Sequence, residues 1–172
     1  MFKIILAILL IGVSLPVNSK YQSTPVPPQY EEKVGVKPYD RVVDPVQLKC
    51  LTDNIYFEAR NERDIGKKAV AFVTLNRRKS PGYPNTICGV VYHKMVKRKC
   101  QFSWTCIKNP RIKYPWLYKQ CKKIAEAMMI NYEYEHDFTH GATHFRKYGA
   151  KQPWEKKIRI TFSTRTHIFY KI

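Results

Sequence analysis

The feature that most limits the fold is a change of hydrophobic period near Gly141. Before it, apolar residues recur at three- and four-residue steps; after it, short β-prone runs take over. Asp44-Pro45 is a helix start, with Asp as N-cap and Pro at the first helical position. Leu48, Leu51, Ile55 and Ala59 then mark one apolar face, and Asn54, Glu58 and Glu62 are expected four apart on a neighbouring face of the same helix. A second helix is predicted from Asp64 to Arg78 through Ala69, Phe72, Val73 and Asn76. "SPGYPNT" is a turn cluster, "ICGVVYH" a short helix, and Tyr114–Asn131 a long helix with Leu117, Cys121, Ile124 and Met128 as its stripe. "ATHF", "IRITF" and "HIFY" read as strands. The expected class is α+β, mostly helical, with a small C-terminal β-sheet.

The N-terminal part reads differently. Met1-Phe2-Lys3, the apolar run Ile4–Leu15 and the small residues to Ser19 match a secretory signal peptide. The run is shorter than the roughly 20 residues that span a bilayer, and an uncleaved membrane anchor through residues 4–17 is the competing reading. Residues 20–45 carry Pro25, Pro27, Pro28, Pro38 and Pro45 and read as a linker. Residues 46–172 remain as the working domain. They are numerous enough to bury a real core.

The chain of 172 residues holds 31 Lys and Arg against 13 Asp and Glu, a net charge of +18. A surface of that sign attracts polyanions: nucleic acid, anionic lipid or phosphate-bearing envelope polymers. Cys50, Cys88, Cys100, Cys106 and Cys121 form no C-x-x-C pair, which argues against a zinc ribbon or a thioredoxin-like site. In an exported chain the odd count implies up to two disulfides and one leftover thiol, with the pairing open. Cys121, inside a helical apolar pattern, fits a buried thiol.

Glu58 follows Tyr56 and Phe57 late on the first helix. A carboxyl against aromatic surface loses hydration, and its neutral form gains. A general acid that protonates a glycosidic oxygen near neutral pH needs that property. Periodicity alone favours the plainer reading, a solvated carboxylate pair with Glu62 or salt bridges to Arg60 and Arg63.

The wider pattern reverses that preference. "LTDNIYFEARNERDIGKKAVAFVTLNRRKSPGYPNTICGVVYHK" and "QFSWTC", then "GATHFRKYGAKQPW" and "HIFYKI", resemble the bacterial cell-wall hydrolases that include the spore-cortex-lytic enzymes. The resemblance covers about residues 48–172. It implies a fold like that of lysozymes and lytic transglycosylases, with Glu58, in the Tyr-x-Glu-Ala-Arg motif, as the catalytic acid. It also implies cleavage of peptidoglycan between N-acetylmuramic acid and N-acetylglucosamine. There are departures: Phe57 and Asn61 stand where many relatives carry glycine, which suggests a narrower or reshaped cleft. "KMVKRKC" is an insert, and Thr166 replaces a glycine before His167.

Two-carboxylate glycosidases set their acids about 5–9.5 Å apart on opposite sides of the bond. Glu62, one turn from Glu58, would share its wall, so a single-acid mechanism fits better and resembles lytic transglycosylation; a hydrolytic muramidase is the alternative. Glu62 is then expected to position substrate or form a salt bridge. Gln101, Ser103 and Trp104 of "QFSW" are expected to contact sugar, with Phe102 partly structural, and Tyr83, Thr143 and His144 are further substrate-binding candidates.

His136, His140 and His144 are spaced by four, but Gly141 and the β-prone "ATHF" argue against a helix that would align them as ligands. No metal or other cofactor is expected. The expected partners are peptidoglycan glycan strands and anionic envelope polymers, met by a monomer that is exported or membrane-tethered. A nucleic-acid-binding protein is permitted by the charge and by 13% aromatics, but no zinc finger, helix-turn-helix or Gly-rich RNA motif supports it. A non-catalytic wall-binding module would leave Glu58 unexplained.

Overall fold

The computed structural model describes residues 42–94, 99–150 and 158–172. The signal-peptide and linker expectations for residues 1–41, and most of the "KMVKRKC" insert, lie outside them.

Helix α1 runs Pro45–Ala59, and the Asp44 side chain accepts from the Val46 and Gln47 amides at 2.8 and 3.3 Å. Pro45 occupies the first turn, where its missing N–H costs nothing. The helix stops at Ala59, and the Glu62 amide closes a turn onto the Ala59 carbonyl at 2.9 Å. Glu62 therefore lies beyond α1, which corrects the expectation of one helix face shared by Asn54, Glu58 and Glu62. A periodic pattern carries no mark of where a helix ends.

Helix α2, Asp64–Lys79, is buried on several sides. One side, with Ala71, Phe72 and Leu75, meets Leu51, Ile55 and Tyr56 of α1 and Cys121, Ala125 and Met128 of helix α4, Pro115–Asn131. The other side, with Ala69, Val70 and Val73, meets Ala142 and Phe169. A helix with apolar residues on two sides packs between two layers of the fold. Helix α3, Ile87–Val91, starts where Thr86 Oγ1 accepts from the Gly89 amide at 3.0 Å. A 3₁₀ turn at Ser103–Cys106 precedes α4.

Strands β1, His144–Lys147, β2, Ile160–Ser163, and β3, His167–Tyr170, form an antiparallel sheet in the order β1-β3-β2. The central strand β3 is buried along its length, with Phe169 opposite Phe145 and Phe162. The class is α+β with a small C-terminal sheet, as the period change predicts.

Two disulfides form. Cys50–Cys88 ties α1 to α3, and Cys100–Cys106 closes a short loop around Gln101 and Ser103, with Cα separations of 5.2 and 5.9 Å. Cys121 is the free, buried thiol, and burial pushes it up to about 11. None of the described helices is long and apolar enough to cross a membrane.

Candidate active site

The last turn of α1 delivers Glu58 into a cleft of about 490 Å³ between α2, the loop around Gln101 and strand β1. Burial raises the Glu58 pKa above its ordinary 4.5, and the nearby Lys147 and Arg77 charges oppose the rise. Among the described residues that line the cleft, Glu58 is the one carboxyl; the ionisable others are Arg77, His144, Arg146, Lys147 and His167.

Arg77, like Lys147 and His167, is a cleft residue that sequence reasoning missed. It lies on α2, one turn after Val73, and is 3% exposed. Its Nε donates to the Thr143 carbonyl at 2.6 Å, and its guanidinium stands over Phe102 and Tyr83, 5.1 and 5.5 Å from the ring centres. The hydrogen-bonding pattern turns the Gln101 amide oxygen toward it, accepting from Nη1 and Nη2 at 3.0 and 3.1 Å. Burial pulls the guanidinium down to about 10, with Tyr83 and Glu58 resisting, and it keeps its charge at neutral pH. The sequence signal was an arginine in the apolar register of a buried helix. His144, on β1, is lowered to about 4 by burial and then by Arg77, so it is a neutral ring beside the acid.

The expected sugar contacts divide. Gln101, Ser103 and His144 line the cleft with Glu58. Trp104 does not: it is 5% exposed, its Nε1 donates to Asn54 Oδ1 at 3.0 Å, and its ring stacks on Phe57 at 4.6 Å. Gln101, Phe102 and Ser103 reach the cleft, while Trp104, the second residue of the 3₁₀ turn, enters the core. Phe57, expected to reshape the cleft, packs against Trp104 and the core instead. Thr143 is buried behind the wall, with its hydroxyl 3.0 Å from His144 Nδ1. Tyr83 stands behind Arg77.

Glu62 is not among the residues that line the cleft with Glu58. Its Oε1 accepts from Thr164 and Thr166 hydroxyls and lies 2.8 Å from His167 Nδ1. Burial works to raise its pKa, but bonds from Thr166, His167 and Thr164 win and lower it, so Glu62 is ionised at neutral pH. Glu62 also borders a separate hollow with Arg60, Lys113, Tyr114 and Trp116. His136 and His140 lie outside regular structure, and His144 opens β1, so their spacing does not align them. The described residues hold no group of three or more His, Cys, Asp or Glu placed to bind a metal.

The electrostatics give a testable sign. The acid works only while protonated, so the alkaline limb of kcat/KM should lie above pH 4.5, the ordinary glutamate value. Lys147→Gln removes a cation that favours the carboxylate, so the limb should move to still higher pH. A pH series on soluble glycan fragments checks both; a limb at or below 4.5, or a downward move, contradicts them.

A sequence model of the cell wall hydrolase family matches residues 61–170, beginning just after Glu58. The spore cortex-lytic enzymes of Bacillus subtilis (strain 168) and Halalkalibacterium halodurans are 40% and 37% identical over 49 residues. Those 49 residues are 28% of this chain but only 16% and 15% of the relatives. The catalytic domain of the Bacillus cereus SleB protein superposes with a TM-score of 0.56 at 24% identity, over 80% of this chain and 99% of that one. The catalytic domain of the germination-specific lytic transglycosylase SleB from Bacillus anthracis gives 0.51 at 22% identity, over 75% and 97%. At such identities the superpositions speak for the fold alone. With the family match spanning most of the described domain, the chain belongs to the cell wall hydrolase family.

Proposed function

We propose that the protein degrades peptidoglycan, cutting the glycan strand between N-acetylmuramic acid and N-acetylglucosamine by lytic transglycosylation. The observation that carries this reading is the desolvated Glu58 carboxyl, the one carboxyl among the described residues of a cleft otherwise lined by cationic, polar and aromatic groups. Burial favours the protonated form of Glu58, which gives its proton to the leaving glycosidic oxygen as the C1–O bond breaks. Arg77 and Lys147 then stabilise the carboxylate left behind. That carboxylate takes the proton of the muramic 6-hydroxyl, whose oxygen bonds to C1 and closes a 1,6-anhydro ring; no water is consumed. A second carboxylate would be needed to seat a nucleophile or a water on the opposite face. Glu62, occupied by Thr164, Thr166 and His167, does not supply one. Water entering in place of the 6-hydroxyl would make the same site a muramidase.

Action on the wall implies export, by a cleaved signal or a tether. Incubation with purified peptidoglycan tests the reading: soluble fragments should appear. A protein that sediments with the wall and releases nothing is a binding module instead.

The net charge of +18 should hold the enzyme on anionic wall polymers. Co-sedimentation should weaken as salt rises, because the screening length falls to about 3 Å at 1 M. Turnover of short soluble fragments should change much less. Equal salt sensitivity of the two would place the effect of the charge in the cleft.

A further inference from the structure

His167 stands between two groups of residues. Its Nδ1 lies 2.8 Å from the Glu62 carboxylate, which also takes the Thr164 and Thr166 hydroxyls of the β2–β3 turn. Its ring is 3% exposed, stands edge-on to Phe145 with centres 5.5 Å apart, and lines the same cleft as Glu58. A carboxylate has no proton to give, so the proton of the Glu62–His167 bond belongs to Nδ1. In the neutral form of that tautomer the lone pair is on Nε2. Among the described residues Nε2 is buried without a hydrogen-bond partner. A buried acceptor left unpaired is unfavourable, whereas the other end of the same ring is fully engaged. His167 is one of the residues that form the cleft wall.

We propose that Glu62 and His167 form an orienting pair: the carboxylate fixes the imidazole as its Nδ1–H tautomer, and the Nε2 lone pair accepts a hydrogen bond from a hydroxyl or acetamido N–H of the bound amino sugar. His167 is a binding residue and transfers no proton; Glu62 is a positioning residue that acts through it. The assignment rests on the glycan reading above. It also gives Glu62 a reason to be ionised, buried and close to the site without facing the scissile bond.

Imidazole ¹⁵N resonances of the full chain test the first half. The free protein should show His167 with the proton on Nδ1 and an unprotonated Nε2; the opposite tautomer overturns the proposal. In the Glu58→Gln variant, which should bind without cutting, soluble glycan fragments should shift the Nε2 signal. An unmoved signal at saturation also overturns it.

Kinetics supply a second readout. His167→Phe keeps a ring but no acceptor and should raise KM about tenfold, the worth of one hydrogen bond, with kcat nearly unchanged. His167→Gln, whose amide oxygen can accept, should recover most of that loss. A wild-type KM in a folded His167→Phe refutes the pair; if that variant does not fold, the ¹⁵N titration decides alone. A wild-type protein that neither binds nor cuts glycan overturns the ligand together with the reading beneath it, while the tautomer result stands apart.

Discussion

Glu58→Gln should lower the rate of glycan cleavage by about 10²–10⁴-fold, the range expected when a positioned general acid is lost. The substitution keeps the volume and polarity of the side chain and removes the transferable proton. It should not unfold the protein. Glu58 has a folded-state pKa raised by burial, so its contribution to stability is full at low pH and is lost as pH rises through that value. At neutral pH the charged form is a cost, and the neutral amide should leave stability equal or higher. Thermal melts at pH 7 beside rate measurements separate the two effects. A variant that is inactive and unfolded would say nothing for the acid role, whereas a folded variant with full activity would remove Glu58 from the chemistry.

Replacing Cys50 and Cys88 together by Ala should destabilise the protein by about 2–5 kcal/mol, with a fall in Tm on the order of 10 °C. The bond spans 38 positions, so it restricts the unfolded chain far more than the six-position Cys100–Cys106 bond. It also anchors α1, which carries Glu58, to α3, while the Cys88 amide donates to Gln47 Oε1 at 3.0 Å. Denaturation of the double variant beside the wild type gives the number. A loss of well under 1 kcal/mol would mean that the packing of α1 on α2 and α4 fixes its position without the bond. Cys121 makes a control, since as a free buried thiol it closes no loop.

Much of the fold was legible because it rests on local rules. Asp44 and Pro45 announce α1, the stripe through Leu117, Cys121, Ile124 and Met128 announces α4, and the β-prone runs after Gly141 become three paired strands. What escaped needed distant partners. Arg77 reads as a surface cation until Thr143, Gln101, Phe102 and Tyr83 converge on it from other segments. Glu62 keeps the four-residue step from Glu58, but the chain has already left the helix, and its ligands come from a turn about a hundred residues later. Trp104 looked like a sugar platform because an exposed and a buried aromatic are the same letter; Asn54 and Phe57 hold it inside. Disulfide pairing also required the fold, since five cysteines without a motif leave the connectivity open.

Glu58 itself shows both sides. Periodicity placed it on α1 but favoured a solvated face. Only the cleft, where Glu58 is the one carboxyl among the described lining residues, makes its burial evident.

Mass spectrometry of the fragments released from purified peptidoglycan tests the central claim most directly. A single acid/base that uses the sugar's own 6-hydroxyl predicts fragments ending in 1,6-anhydro-muramic acid from the wild type, and none from Glu58→Gln. Reducing muramic ends would show water as the acceptor and a muramidase at the same site. Fragments ending in reducing N-acetylglucosamine, cut peptide cross-links with intact glycan, or unchanged digestion by Glu58→Gln would contradict the account.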